Sequence, residues 1–129
     1  MKLIMLQKHE YPAHGEPDKR GESVLDSGNH IVGYVANLFV DEDERRVRFW
    51  DVVPQDWLGR DRKGHHHLIP IEAQISREEA IRRDSFDDVE LRVDKETVES
   101  SPTLPPSLDA TEFSELQEAV RQYYEAALR

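Results

Sequence analysis

Gly33-Tyr34-Val35-Ala36-Asn37-Leu38-Phe39-Val40-Asp41, then Val47-Arg48-Phe49-Trp50-Asp51-Val52-Val53, then His67-Leu68-Ile69-Pro70-Ile71 are the stretches whose reading decides the fold. Each is a short apolar run rich in β-branched and aromatic residues, and polar, charged segments separate them. Asp41-Glu42-Asp43-Glu44-Arg45-Arg46 reads as the turn between the first and the second, and residues 54–66, with Pro54, Gly59 and Gly64, as a long hairpin loop. The third run is reached through His65-His66-His67. This order predicts a β-meander, and with no catalytic spacing laid over it, a small barrel built for contact.

Outward from these runs, Val24 and Leu25 are expected to form a short strand that hairpins onto Ile31–Val40 through the tight turn Asp26-Ser27-Gly28-Asn29. The third strand is expected to run over Leu68–Ile75. Ser76-Arg77-Glu78-Glu79 has capping-box spacing and predicts one or two helical turns ending near Asp84. Val89, Leu91 and Val93 alternate with polar residues, the period of a half-buried strand. A short helical turn can begin at Asp94-Lys95-Glu96-Thr97. Beyond the prolines of Ser100–Ser107, Phe113, Leu116, Val120, Tyr123, Tyr124 and Ala127 recur at helical steps and lay one apolar stripe on a helix about 27 Å long, with Asp109 and Glu112 placed to cap it. The chain therefore divides into an N-terminal extension (1–17), a β-barrel (18–100), a Pro-rich connector (101–108) and a C-terminal helix (109–128). The fold class expected is mainly β, a small barrel with that helix packed on or beside it.

With 129 residues, 37% hydrophobic and 34% charged, the chain can bury one core. No apolar run approaches the roughly 20 residues of a membrane span, and Met1–Leu6 is too short for a signal-peptide core, so the expectation is a cytoplasmic protein without direct transmembrane insertion. The absence of cysteine excludes disulfides and thiolate chemistry. A formal charge of −10 opposes binding to nucleic acid or to an anionic lipid surface. The sequence has no GxSxG elbow and no glycine-rich phosphate loop, so neither an enzyme nor a cofactor is expected.

Four residues are candidates for chemistry or contact. In an extended segment His65 and His67 point to one face, about 6.6 Å apart, and could share a metal with Asp61 or Glu72. A functional site needs further ligands held by second contacts, and no separate HxH or HExxH pattern supplies them, so the plain reading is a solvated start of a strand and no metal is expected. Asp41–Glu44 lacks the alternation and central glycine of a calcium loop and reads as a charged hairpin tip. Asp51 lies inside an apolar run, where strand alternation turns it outward or a purpose such as proton relay at a partner surface keeps it in. Of the tryptophans, one is expected in the core, and Trp57, beside Leu58, is the candidate interface anchor.

The ordered runs Gly33–Asp41, Val47–Val52 and Leu68-Ile69-Pro70-Ile71, with Arg20-Gly21 ahead of them, resemble the PRC-barrel family. Val89–Val93, Ser101-Pro102-Thr103-Leu104 and a helix carrying Tyr123-Tyr124 extend the likeness, over roughly 18–125, to the cytoplasmic domain of the photosynthetic reaction centre H subunit. The resemblance implies a non-enzymatic β-barrel scaffold that caps the cytoplasmic face of the membrane-embedded L and M subunits and assists proton delivery to the quinone site. The H subunit's second barrel strand carries two acids one residue apart; Asp51 matches the first, while Val53 stands at the second. The H subunit's transmembrane helix has no counterpart here. The expectation is thus a stand-alone barrel, or the cytoplasmic piece of a split H subunit held peripherally at the inner membrane by protein partners, with self-association left open. The alternative is a PRC-barrel adaptor, of a ribosome-maturation or regulatory kind, for a different protein partner.

Overall fold

The computed structural model describes residues 2–56, 60–61, 66–84 and 87–129. In chain order its elements are β1 (Leu3–Met5), β2 (Ser23–Leu25), β3 (Ile31–Asp41), β4 (Val47–Pro54), β5 (His66–Pro70), a 3-10 turn (Ile71–Ala73), α1 (Arg77–Arg83), β6 (Val89–Glu90), α2 (Lys95–Glu99), β7 (Thr103–Leu104) and α3 (Ala110–Ala127). The architecture is mainly β, a mixed seven-stranded sheet in the order β6-β2-β3-β4-β5-β7, with β1 also on β3. The pair β2–β6 is parallel. Among the described residues no strand pairing joins β6 to β7, so the sheet is not closed by hydrogen bonds.

β3 organises the sheet. Its one edge takes β2 at the beginning and β1 at the end, and its other edge takes β4 along most of its length. The β3–β4 ladder slips between Val35 and Asn37, where Val35 faces Val52 and Asn37 faces Asp51, so Ala36 is an extra residue. A bulge of this kind bends a strand and re-aims the side chains that follow it. β4 is the best covered strand, with every residue but Arg48 buried from Val47 to Pro54. Trp50 is one of its core side chains, as one tryptophan was expected to be.

The expected hairpin between β2 and β3 is present, closed by Asn29 N–H donating to Asp26 O. Several boundaries differ from the sequence reading. β5 ends at Pro70, not at Ile75, because a proline has no N–H with which to extend the ladder; the chain turns through Ile71–Ala73, burying Ala73, and Gln74 then bridges to Leu91. Residues 1–17, read as an extension, contribute β1 and the buried Leu6. β1 pairs with β3, Leu6 N–H donates to Leu38 O and Ala13 N–H to Arg45 O, and Arg20 donates to the carbonyls of Gln7 and Glu10 while paired with Asp18. The Pro-rich connector likewise supplies β7, on the far edge of β5. Val89, Leu91 and Val93 are all buried, as their alternation requires, although only Val89–Glu90 form a strand.

The three helices start where their caps predict. Ser76 accepts from Glu79 N–H and Asp94 from Thr97 N–H. Asp109 and Glu112 form a complete capping box on α3, an 18-residue helix. Val120 and Tyr124 are its buried residues, and Phe113 meets Phe39 edge to face with ring centroids 5.0 Å apart. Among the described residues no helix is long and apolar enough to cross a membrane. Asp109→Ala is expected to lower stability by about 1 kcal/mol, the usual cost of losing an N-cap, as a reduced midpoint in urea unfolding with an unchanged slope. An unaltered midpoint would mean that α3 is held by its packing alone.

Candidate functional site: the Asp51–His66 pair

Strand geometry brings three polar side chains to one face of the sheet. Asp51 lies opposite Asn37 on β3 and opposite Leu68 on β5, and His66, two residues before Leu68, falls on the same face. The Ala36 bulge is what puts Asn37 there, since Val35 before it faces Val52 on the opposite side. Asp51 is only 3% exposed, so alternation does not turn it outward. Its Oδ2 accepts from Asn37 Nδ2 at 2.8 Å, and its Oδ1 lies 2.8 Å from His66 Nδ1. A carboxylate offers only acceptors, which assigns the proton of the neutral imidazole to Nδ1 and leaves the Nε2 lone pair free of that bond. The His66 side chain is 39% exposed, so the pair reaches from a buried carboxyl to the surface.

The pair sits in the wall of an open cavity of about 540 Å³. Apart from Asn37, the remaining lining is apolar: Met5, Phe39 and Phe113 together with Leu104, Leu108 and the rigid Pro105-Pro106. Asp51 and His66 are the only ionisable side chains in this lining among the described residues. Geometry of this type can hold a proton, or hold a ligand group that donates a hydrogen bond.

Other residues singled out in the sequence lie elsewhere. His67 points to the opposite face of β5, is buried, and lies with its Nδ1 3.0 Å from Ser101 Oγ, which in turn donates to Val98 O. It therefore serves the packing of α2 and does not share a face with Asp51. His65 and Trp57 fall outside the described residues. Asp61 accepts from the Tyr34 hydroxyl, and Glu72 is exposed on the 3-10 turn. Among the described residues no three histidine or acidic side chains converge as a metal site. Asp41 closes the charged hairpin tip by accepting from Glu44 N–H, Arg46 N–H and Arg48 Nε. Burial opposes its charge, but those bonds outweigh it and hold the carboxyl below the usual range.

Sequence reasoning missed His66 and Asn37. His66 was visible only as the middle of a histidine run, and its face follows from the β4–β5 register, which the loop before it obscures. Asn37 depends on a bulge. No protein-family model matches the chain, and no curated protein does either.

Asp51→Ala is expected to cost about 2 kcal/mol, because it leaves the Asn37 amide and the His66 Nδ1–H without their buried acceptor. Histidine 15N spectra at pH 8 should show the Nδ1–H tautomer for His66 in the parent protein and lose it in the variant. Identical His66 spectra in the two would show that the pair does not form.

Proposed function

We propose that this chain is a non-enzymatic protein-interaction module of the PRC-barrel type, which caps the cytoplasmic face of a membrane photosynthetic complex and assists proton delivery through Asp51. The observation that carries this reading is the Asp51–His66 pair. The acid at the position resembling the H subunit's first strand acid is buried, and a half-exposed imidazole 2.8 Å away links it to the surface. Two features support the barrel itself. The bulges bend β3 and β4, and α2, which follows β6 and precedes β7, contacts both β3 and β5 across the sheet.

The test is binding to membranes that carry reaction-centre L and M cores stripped of their H subunit, against membranes without cores. Saturable binding restricted to the first, and light-driven proton uptake slowed several-fold by Asp51→Asn, are the expected results. Equal binding to both membranes removes the photosynthetic reading. One observation favours the second reading, an adaptor for a different protein partner: Val53, at the position of the missing second acid, is buried in the sheet and cannot extend a relay. A ribosomal protein recovered as the specific partner would decide for it.

A further inference from the structure

We propose that the cavity beside Asp51 and His66 is a binding site for a small aromatic compound carrying a phenol-type hydroxyl. This inference goes beyond the interaction module and stands whether or not a reaction centre is the partner. Its basis is the combination of a largely apolar wall with one oriented acceptor. Ligand sites in proteins are concave, about 300–1,000 Å³, mostly apolar, and carry a few fixed polar groups; this cavity has about 540 Å³ and that composition.

The polar end defines the ligand group. Asp51, itself buried, is bridged by Asn37 on one oxygen and by His66 on the other, which fixes the imidazole ring and its tautomer. The fixed ring offers Nε2 as an acceptor, so the matching ligand group is a hydrogen-bond donor. No lysine or arginine lines the cavity among the described residues, and the chain carries a net charge of −10, so an anionic ligand is disfavoured. The apolar end defines the ligand body. Phe39 and Phe113 already meet edge to face, and a third ring can join them in the same geometry. Pro105 and Pro106 keep one wall rigid before binding, which reduces the ordering cost of capture. Met5, 43% exposed at the cavity, is an apolar side chain that such a body would cover.

The experiment uses two probes with one ring system, 1-naphthol and its methyl ether, titrated into the 15N-labelled full chain. Saturable shifts at the amides of His66, Leu104 and Phe113 are expected for 1-naphthol, with the ether weaker by a factor of roughly 2 to 12, the range expected for one hydrogen bond. In the double variant His66→Phe/Asp51→Leu the cavity keeps its apolar wall and loses both ionisable acceptors, and the two probes should then bind within twofold of each other. A thermal transition near that of the parent protein establishes that this variant folds. Asp51→Asn, which frees the imidazole to reorient, should reduce the preference for 1-naphthol as well. Shifts that do not saturate, shifts centred away from the cavity, or equal affinity for the two probes in the parent protein would each overturn the proposal.

Discussion

Gly33→Ala is expected to destabilise the protein by about 3–4 kcal/mol, one of the two largest effects of any single substitution considered for this chain. A Cβ at this position would lie 1.9 Å from the Val53 carbonyl oxygen, 2.8 Å from the Val53 carbonyl carbon and 2.9 Å from Pro54 Cα. All of these are backbone atoms, so no change of rotamer relieves the overlap; β3 and β4 must separate. They meet there because Gly33 is paired with Pro54 at the end of the ladder, where Gln55 N–H still donates to Val32 O at 3.0 Å. On its other side Gly33 is paired with Val24 of β2, so a displaced β3 also disturbs the opposite edge. Gly15→Ala is the comparison. Gly15 has φ +86 and open space around its missing Cβ, so its cost is conformational only, about 1 kcal/mol. Urea midpoints measure both. If Gly33→Ala costs no more than Gly15→Ala, the close approach of the two strands is wrong.

That close approach also shows where sequence reading succeeds. The glycine leading the first apolar run was visible, and so were the strands around it, since hydrophobic composition and turn residues are local signals. The caps of α1, α2 and α3 were legible for the same reason: Ser76, Asp94 and Asp109 each act on an N–H three residues away. What stayed hidden depends on register or on distant partners. The inward placement of Asp51 requires both faces of β4 to be covered, one of them by elements from the C-terminal part of the chain. The arrival of Asn37 beside it requires the Ala36 bulge, which no residue pattern marks. The inclusion of residues 1–17 in the fold rests on pairing with β3, more than 30 positions away, and on Arg20 reaching carbonyls 10 and 13 positions away. The histidine run drew attention to His65 and His67 as neighbours on one face, while the contact with Asp51 falls to His66 between them.

The second large effect is expected at Asp26, whose replacement by Asn should cost about 3 kcal/mol at neutral pH. Asp26 is buried in the turn before β3, and both of its oxygens accept backbone N–H groups. Oδ1 takes Gly28 N–H at 2.9 Å and His30 N–H at 2.7 Å, and Oδ2 takes Lys95 N–H at 2.8 Å from the first turn of α2. An amide in either orientation would place its NH2 against one of these donors. The β2–β3 hairpin and α2, far apart in sequence, would thus lose their common anchor. Burial by itself would raise the Asp26 pKa, but the backbone bonds from His30 and Lys95, the His30 ring and Gly28 outweigh it and hold the carboxyl below its ordinary range. A carboxyl lowered in the fold binds fewer protons there than in the unfolded chain. Its stabilisation is therefore complete above the unfolded value of about 3.9 and is lost as pH falls through the lower folded value. Asp41, lowered in the same direction, contributes with the same sign. Urea midpoints at pH 7, 5, 4 and 3 should show a gap between parent and Asp26→Asn that is constant down to about pH 4 and closes below it. A gap of unchanged size at pH 3 would mean that the Asp26 carboxyl binds protons equally in the folded and unfolded chain, so that its charge contributes nothing to stability.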